Sequence, residues 1–256
     1  MLIRIMKQNV IVFCCTLIVS TLLFSVPAFV TSTNTAIYYP IETWLEAQDI
    51  YALFYPLLCT VPFCWELRME LQGGFLKFVS NRMSPTRYLG YRYISSLLFV
   101  SCVIFFSSFF CAFLAQYVIS PRYPITEPSH IGMYLWGDVL VSSPMMFAFI
   151  SSLWRAILAG LYFTFGFILV LLSKNSFVAL TGPFIYSILE NYFTSIIGLP
   201  AYSIVTSFLI TRLAPGYARE QDLLVGPLVL FTICIALFIF TTLKSRQGES
   251  KWLNIA

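Results

Sequence analysis

Side chains able to do chemistry are few in this sequence and mostly stand alone. The single histidine, His130, follows a Tyr-Pro-Ile-Thr-Glu-Pro-Ser stretch that reads as a surface loop. A zinc-protease H-E-x-x-H motif needs two histidines, and an intramembrane Ser–His pair would need His130 at membrane depth beside a strained turn. Cys14, Cys15, Cys59, Cys64, Cys102, Cys111 and Cys234 all lie within apolar runs, where a free cysteine acts as a small packing residue. No disulfide framework is legible, and Cys59 and Cys64 share neither a helical face nor a neighbouring histidine that would suggest zinc. No G-x-x-x-x-G-K-[ST] loop is present for ATP. The chain is therefore expected to carry no catalytic residues, no metal and no cofactor of its own.

Two charges inside apolar runs remain. Glu190, followed by Asn191, is the only acid well inside such a run, and Arg155 stands near the start of another. A charge at the centre of a bilayer costs about 2.5–3.5 kcal/mol on insertion scales and usually faces protein or water. Glu190 and Asn191 are then expected to line a substrate path or to pair with Arg155 from an antiparallel neighbour. The alternative is a protonated or snorkelling carboxyl near the helix end. Gly160 and Gly166, with Ala156 and Ala159, put small residues along one helix, which suits close packing within the chain or at a subunit interface.

The elements that must position these groups follow from composition. Of 256 residues, 59% are hydrophobic, 18% aromatic and only 10% charged, and the mean hydropathy is +0.84. A soluble domain carries about 25% charged residues, so a water-soluble monomer is excluded, and the aromatic content excludes disorder. The net charge of +4 comes from short segments and forms no basic stripe for nucleic acid. A helix crossing a bilayer needs about 20 apolar residues. Six stretches are read as spans: 10–30, 50–65, 94–119, 153–173, 176–199 and 223–243. The first could alternatively be a signal peptide, with Arg4 and Lys7 before it, but its apolar run is longer than the usual h-region. The run 139–150 is too short to span and is read, like 200–222, as an outer interfacial or re-entrant piece. Six crossings with the N-terminus inside place 11 Lys+Arg on the inner side and 4 on the outer side. The expectation is an all-α polytopic membrane protein, a single transmembrane domain with both termini cytoplasmic.

The inner segment 66–92 is the most informative. Leu67, Leu71, Phe75 and Phe78 recur at helical spacing, with Arg68, Glu70, Gln72, Lys77 and Ser80 on the other side. Gly73-Gly74 interrupts the pattern, each glycine costing about 1 kcal/mol in a helix interior, and Ser84-Pro85 ends it. Arg82, Arg87 and Arg92 follow. Such a segment either lies on anionic headgroups or inserts its apolar stripe into a groove on a cytosolic partner.

The succession of Glu66 and Glu70, Gly73-Gly74, Phe75-Leu-Lys-Phe78, Ser84-Pro85 and Tyr88-Leu between the second and third spans resembles the permease subunits of ABC-2-type ABC transporters. The glycines of 160–166, the Ser173-Lys-Asn175 turn and the proline of Ala179-Leu-Thr-Gly-Pro183 are similar to that family's fourth and fifth spans. The resemblance extends over nearly the whole chain. It implies an exporter subunit whose coupling helix, built on Glu66, Glu70, Leu71, Gly73, Gly74, Phe75, Phe78 and Arg82, docks on a separate cytosolic ATPase. ATP and Mg would be held by that partner, and a second permease copy or a related permease would complete the assembly. The cargo would be amphipathic or hydrophobic: a peptide, an antibiotic or a lipid-like molecule crossing the cell membrane. The paired glycine and the prolines of the second span depart from the family pattern. An ion-driven secondary transporter and a membrane scaffold or sensor are the alternatives. The first is disfavoured because only Glu190 approaches a midplane charge.

Overall fold

A computed structural model describes residues 2–34, 36–37, 39–80, 83–119, 123–124, 135–173, 175–212 and 219–246. Helices dominate: α1 (Leu2–Asn34), α2 (Glu42–Gln72), α3 (Phe75–Ser80), α4 (Pro85–Tyr117), α5 (Gly137–Ser142), α6 (Pro144–Leu172), α7 (Ser176–Ile196), α8 (Ile204–Phe208) and α9 (Asp222–Arg246). A two-residue parallel bridge joins Ala36–Ile37 to Tyr123–Pro124, and a 3-10 turn, Pro200–Tyr202, precedes α8.

Five of these helices are long and apolar enough to cross a membrane: Val10–Asn34, Glu42–Gln72, Pro85–Tyr117, Pro144–Leu172 and Asp222–Leu243. That is one fewer than the six expected. The difference is α7, whose 21 residues span about 30 Å at 1.5 Å per residue. The Glu190-Asn191 pair and the Thr181-Gly-Pro turn dilute its apolar character.

The long helices pack in an up-and-down order that side-chain pairs fix directly. Phe13 meets Phe99 and Ser20 bonds Ser107, so α1 and α4 run parallel. Trp44 reaches Ser108 while Glu66 reaches Arg92, which makes α2 and α4 antiparallel. Tyr93 pairs with Thr164 and Ser101 with the Ala156 carbonyl, setting α6 against α4. Tyr162 bonds Ser187, and Leu169 lies against Gly182, so α7 returns alongside α6. One end of the bundle therefore gathers the close of α2, the start of α4 and the α6–α7 connection. The other end gathers α5, α8 and the start of α9.

Two boundaries differ from the sequence reading. Ser151-Ser152 does not separate a re-entrant piece from the fourth span: α6 runs unbroken through both serines. Each serine is buried and has an acceptor, Ser151 on the Phe147 carbonyl and Ser152 on Ser108 Oγ at 3.0 Å. Small hydroxyl residues that bond back to their own helix or across to the next are well suited to helix–helix contacts in lipid. The second span is also longer than expected. Pro56 and Pro62 sit inside α2 without ending it, and the Thr60 hydroxyl bonds the Pro56 carbonyl at 2.8 Å.

Candidate functional site

The end where α2 meets α4 is built around Arg92. This side chain is 2% exposed and pairs with Glu66, with Glu70 Oε1 at 3.5 Å. Tyr88, one turn before Arg92 on α4, donates its hydroxyl to Glu70 Oε2 at 2.7 Å. Glu66 and Glu70 are i and i+4 on α2, and Tyr88 and Arg92 are i and i+4 on α4, so both pairs share a helical face. On the opposite side of α2, Arg68 Nη1 donates to the Ser173 carbonyl at 2.8 Å and its Nε to Ser176 Oγ at 3.2 Å, while Gln72 Nε2 also reaches Ser176. The last two turns of α2 are thus tied to α4 on one side and to the α6–α7 connection on the other.

The expected coupling helix has a different form here. No single helix runs through 66–81. Gly73 closes α2 by donating to the Met69 carbonyl at 2.9 Å, and Gly74 takes φ +68°, the left-handed conformation in which a side chain is strained. A six-residue α3 follows. The paired glycine is therefore the hinge between two helices. Of the expected apolar stripe, Leu67 and Leu71 are buried and Phe75, only partly buried, packs on Tyr88 with ring centroids 5.9 Å apart; Leu76 and Val79, outside that stripe, are buried as well. Glu66 and Glu70 face Arg92 and not outward. Exposed at this end are Trp65, Met69, Gln72 and Arg87. Arg82 and the side chain of Phe78 lie outside the described residues, as does His130.

The second site lies deeper. Arg155 is 1% exposed. Its Nη2 donates to Gln48 Oε1 at 2.5 Å, its Nη1 to Ser108 Oγ at 2.9 Å, and its Nε to the Phe208 carbonyl at 3.5 Å. The guanidinium carbon stands 4.7 Å from the Trp44 ring centroid and 5.0 Å from that of Phe208. These ring faces stabilise a desolvated cation by up to about 2 kcal/mol each. Tyr55 donates to the Arg155 main-chain carbonyl at 2.6 Å. Aromatic rings continue this core, with Tyr55 against Phe208 and Tyr162, and Tyr51 stacked on Phe24. Tyr51 also closes a buried hydroxyl chain with Ser20 and Ser107 at 2.7 Å per step.

Glu190 does not pair with Arg155. Its carboxylate accepts from Ser203 Oγ at 2.9 Å and from the Ile204 amide at 3.1 Å, at the first turn of α8. Ser203 is the N-cap of α8, its Oγ accepting from the Val205 amide at 3.2 Å; helix starts expose unpaired N–H groups and favour a negative charge, and Glu190 supports the cap by taking the neighbouring Ile204 amide. Asn191 accepts from Arg212 Nη1 at 2.6 Å and supports the same turn. The other end of α8 is closed by donors from α6: Trp154 Nε1 on the Ser207 carbonyl at 2.9 Å, and Arg155 on that of Phe208. Glu190 and Arg155 are thus linked through the two ends of one five-residue helix.

Gly160 and Gly166 both face neighbours within the chain. A Cβ on Gly166 would lie 2.8 Å from Thr60 Cγ2 on α2, whereas one on Gly160 would stand 3.7 Å from Leu97 and Ser101. Among the described residues no group of three or more His, Cys, Asp or Glu could hold a metal ion.

Sequence reasoning missed Gln48, Ser108, Trp44 and Phe208 around Arg155, and Tyr88, Arg92 and Arg68 as the fasteners of the other end. A signal for the first group was present: Trp44, Gln48, Tyr51 and Tyr55 follow one another at three- and four-residue steps, the spacing of one helical face. No family model, curated protein or solved structure matches this chain.

Proposed function

We propose that this protein is the membrane-embedded subunit of an ATP-driven exporter of the ABC-2 permease kind, energised by a separate cytosolic ATPase. The observation that supports the reading best is the pair of ties at the end of α2. The Glu66–Arg92–Glu70–Tyr88 cluster and the Arg68 bonds to Ser173 and Ser176 join one short segment to α4, α6 and α7 at once. A push on the Gln72–Gly73 turn would therefore move several long helices together, which is what coupling to a motor demands. In this reading α7 crosses the membrane as a sixth span, both termini are cytoplasmic, and the partner ATPase holds ATP and Mg. The exposed Met69, Gln72 and Arg87 would meet that ATPase, while Glu66 and Glu70 stiffen the lever from within. A second permease subunit completes the pathway for an amphipathic or hydrophobic cargo.

The test is co-purification of the tagged full-length protein from its native membrane. The reading expects a P-loop ATPase in stoichiometric yield, displaced by Met69→Asp combined with Arg87→Glu at unchanged permease yield. A folded, monodisperse protein that never brings down a nucleotide hydrolase would leave the secondary-transporter or scaffold function in its place.

A further inference from the structure

The surroundings of Arg155 contain more hydrogen-bond donors than acceptors. A guanidinium offers five N–H groups, and the described partners of Arg155 take three of them, one at the 3.5 Å limit. Those partners are neutral: an amide oxygen, a hydroxyl and a carbonyl. Gln48 adds to the surplus. It is fully buried, its Oε1 is spent on Arg155, and its Nε2 has no hydrogen-bond partner among the described residues. Exchanging the two amide ends would place a donor against a donor, so the orientation is set by Arg155 itself. Nearby hydroxyls do not balance the account. Ser108 Oγ already accepts from both Arg155 and Ser152. A buried cation beside a buried, unpartnered amide donor is the chemistry that an anion satisfies.

We propose that Arg155 and Gln48 bind a small monovalent anion between α2 and α6, enclosed by the Trp44 and Phe208 rings. The anion supplies a charge that none of the partners of Arg155 among the described residues carries. It is either a halide from solution or the carboxylate of a small organic acid. Phe208 closes α8, whose position is fixed by Glu190 at one end and Trp154 at the other, so the site is shut as long as α8 stays seated. This inference rests on the chain's own side chains and does not depend on the transport reading.

The experiment is thermal unfolding of the full-length protein in detergent, exchanged into sodium gluconate at constant ionic strength and titrated with chloride, bromide or formate. Wild type should gain stability with rising concentration of at least one of these, in equal increments per tenfold step above its dissociation constant. A halide response identifies an inorganic ion, and a formate response without one identifies a carboxylate. Gln48→Glu places a carboxylate beside Arg155 and should abolish the response while keeping the low-salt melting temperature at or above that of wild type. Two results overturn the proposal: wild type indifferent to all three anions, or Gln48→Glu as anion-dependent as wild type.

Discussion

At the residue scale, the two glycines of α6 look alike in the sequence and differ in the structure. Gly166 lies where α6 packs on α2, and a methyl group there meets Thr60 at 2.8 Å, with Cys64 Sγ at 3.3 Å. Both neighbours belong to a buried stretch of α2, so neither has room to retreat. Overpacking of such a contact costs about 1–3 kcal/mol. We therefore expect Gly166→Ala to lower the melting temperature measurably, whereas Gly160→Ala, which meets only ordinary van der Waals distances, stays within about 0.5 kcal/mol of wild type. Glu190 gives a second contrast at this scale. Replacing it by Gln keeps an acceptor for Ser203 and Ile204 but removes the charge at the start of α8. Replacing it by Ala removes both. N-cap losses run to about 0.5–2 kcal/mol, so Glu190→Ala should loosen α8 more than Glu190→Gln. Faster hydrogen exchange of the Ile204 amide in the alanine variant would register it, and equal exchange in the two variants would contradict the role of Glu190 at this helix start.

At the scale of elements, the α2–α3–α4 turn shows what periodicity reveals and what it does not. Helical spacing identified Leu67 and Leu71 as an apolar stripe, and both are buried. Spacing alone could not say against what. A stripe that closes its own bundle and one that waits for a partner have the same pattern; the deciding residues, Tyr88 and Arg92, belong to the next helix. The glycine pair was legible as an interruption, and the left-handed Gly74 accounts for it. The span ends were hard to read for a related reason. Sequence windows stop where polar residues begin, but Glu66, Arg68 and Glu70 continue α2 for two more turns because neighbouring helices satisfy them. Within this assembly Arg92 is the member whose loss matters most. Leu at this position leaves Glu66 and Glu70 half-buried without their cation, a disruption worth about 3–5 kcal/mol for a buried pair. Arg92→Leu should therefore be far more destabilising than the triple change Glu66→Gln, Glu70→Gln, Arg92→Leu. A thermal-unfolding cycle checks the coupling, and additive effects would mean that the cluster is not one unit. Gly74→Ala makes a smaller, purely conformational contribution of about 1–2 kcal/mol, the cost of left-handed backbone with a side chain.

For the whole molecule, the question left by residues and elements is how many times the chain crosses. Up to α6 the alternation is fixed by paired side chains, and the membrane character of these helices was plain from composition. The seventh helix is where composition was insufficient, because its polar residues serve α8 and not water. Glu190 and Asn191 are engaged by Ser203, Ile204 and Arg212, so the charge that lowers the apolar character of α7 is spent inside the protein. A helix whose polar groups are satisfied by its own fold remains compatible with hydrocarbon on its other side, and Ile185, Ile188, Leu189, Tyr192 and Phe193 are exposed there. Its 21 residues approach the thickness of a bilayer core, about 30 Å. The side of the C-terminus distinguishes the two possibilities. With α7 as a crossing, α9 returns the chain to the side of α1's start, and tags at the two termini should be digested, or protected, together when protease is added to sealed vesicles of one orientation. With α7 as an interfacial helix the crossings number five, and one tag should survive the digestion that removes the other. Arg212 and Glu220 flank the connection from α8 to α9. A cysteine at either position should be labelled by an impermeant maleimide from the face opposite the termini in the six-crossing arrangement. Labelling from the face of the N-terminus would remove α7 from the membrane and, with it, the shared cytoplasmic side that the exporter reading requires.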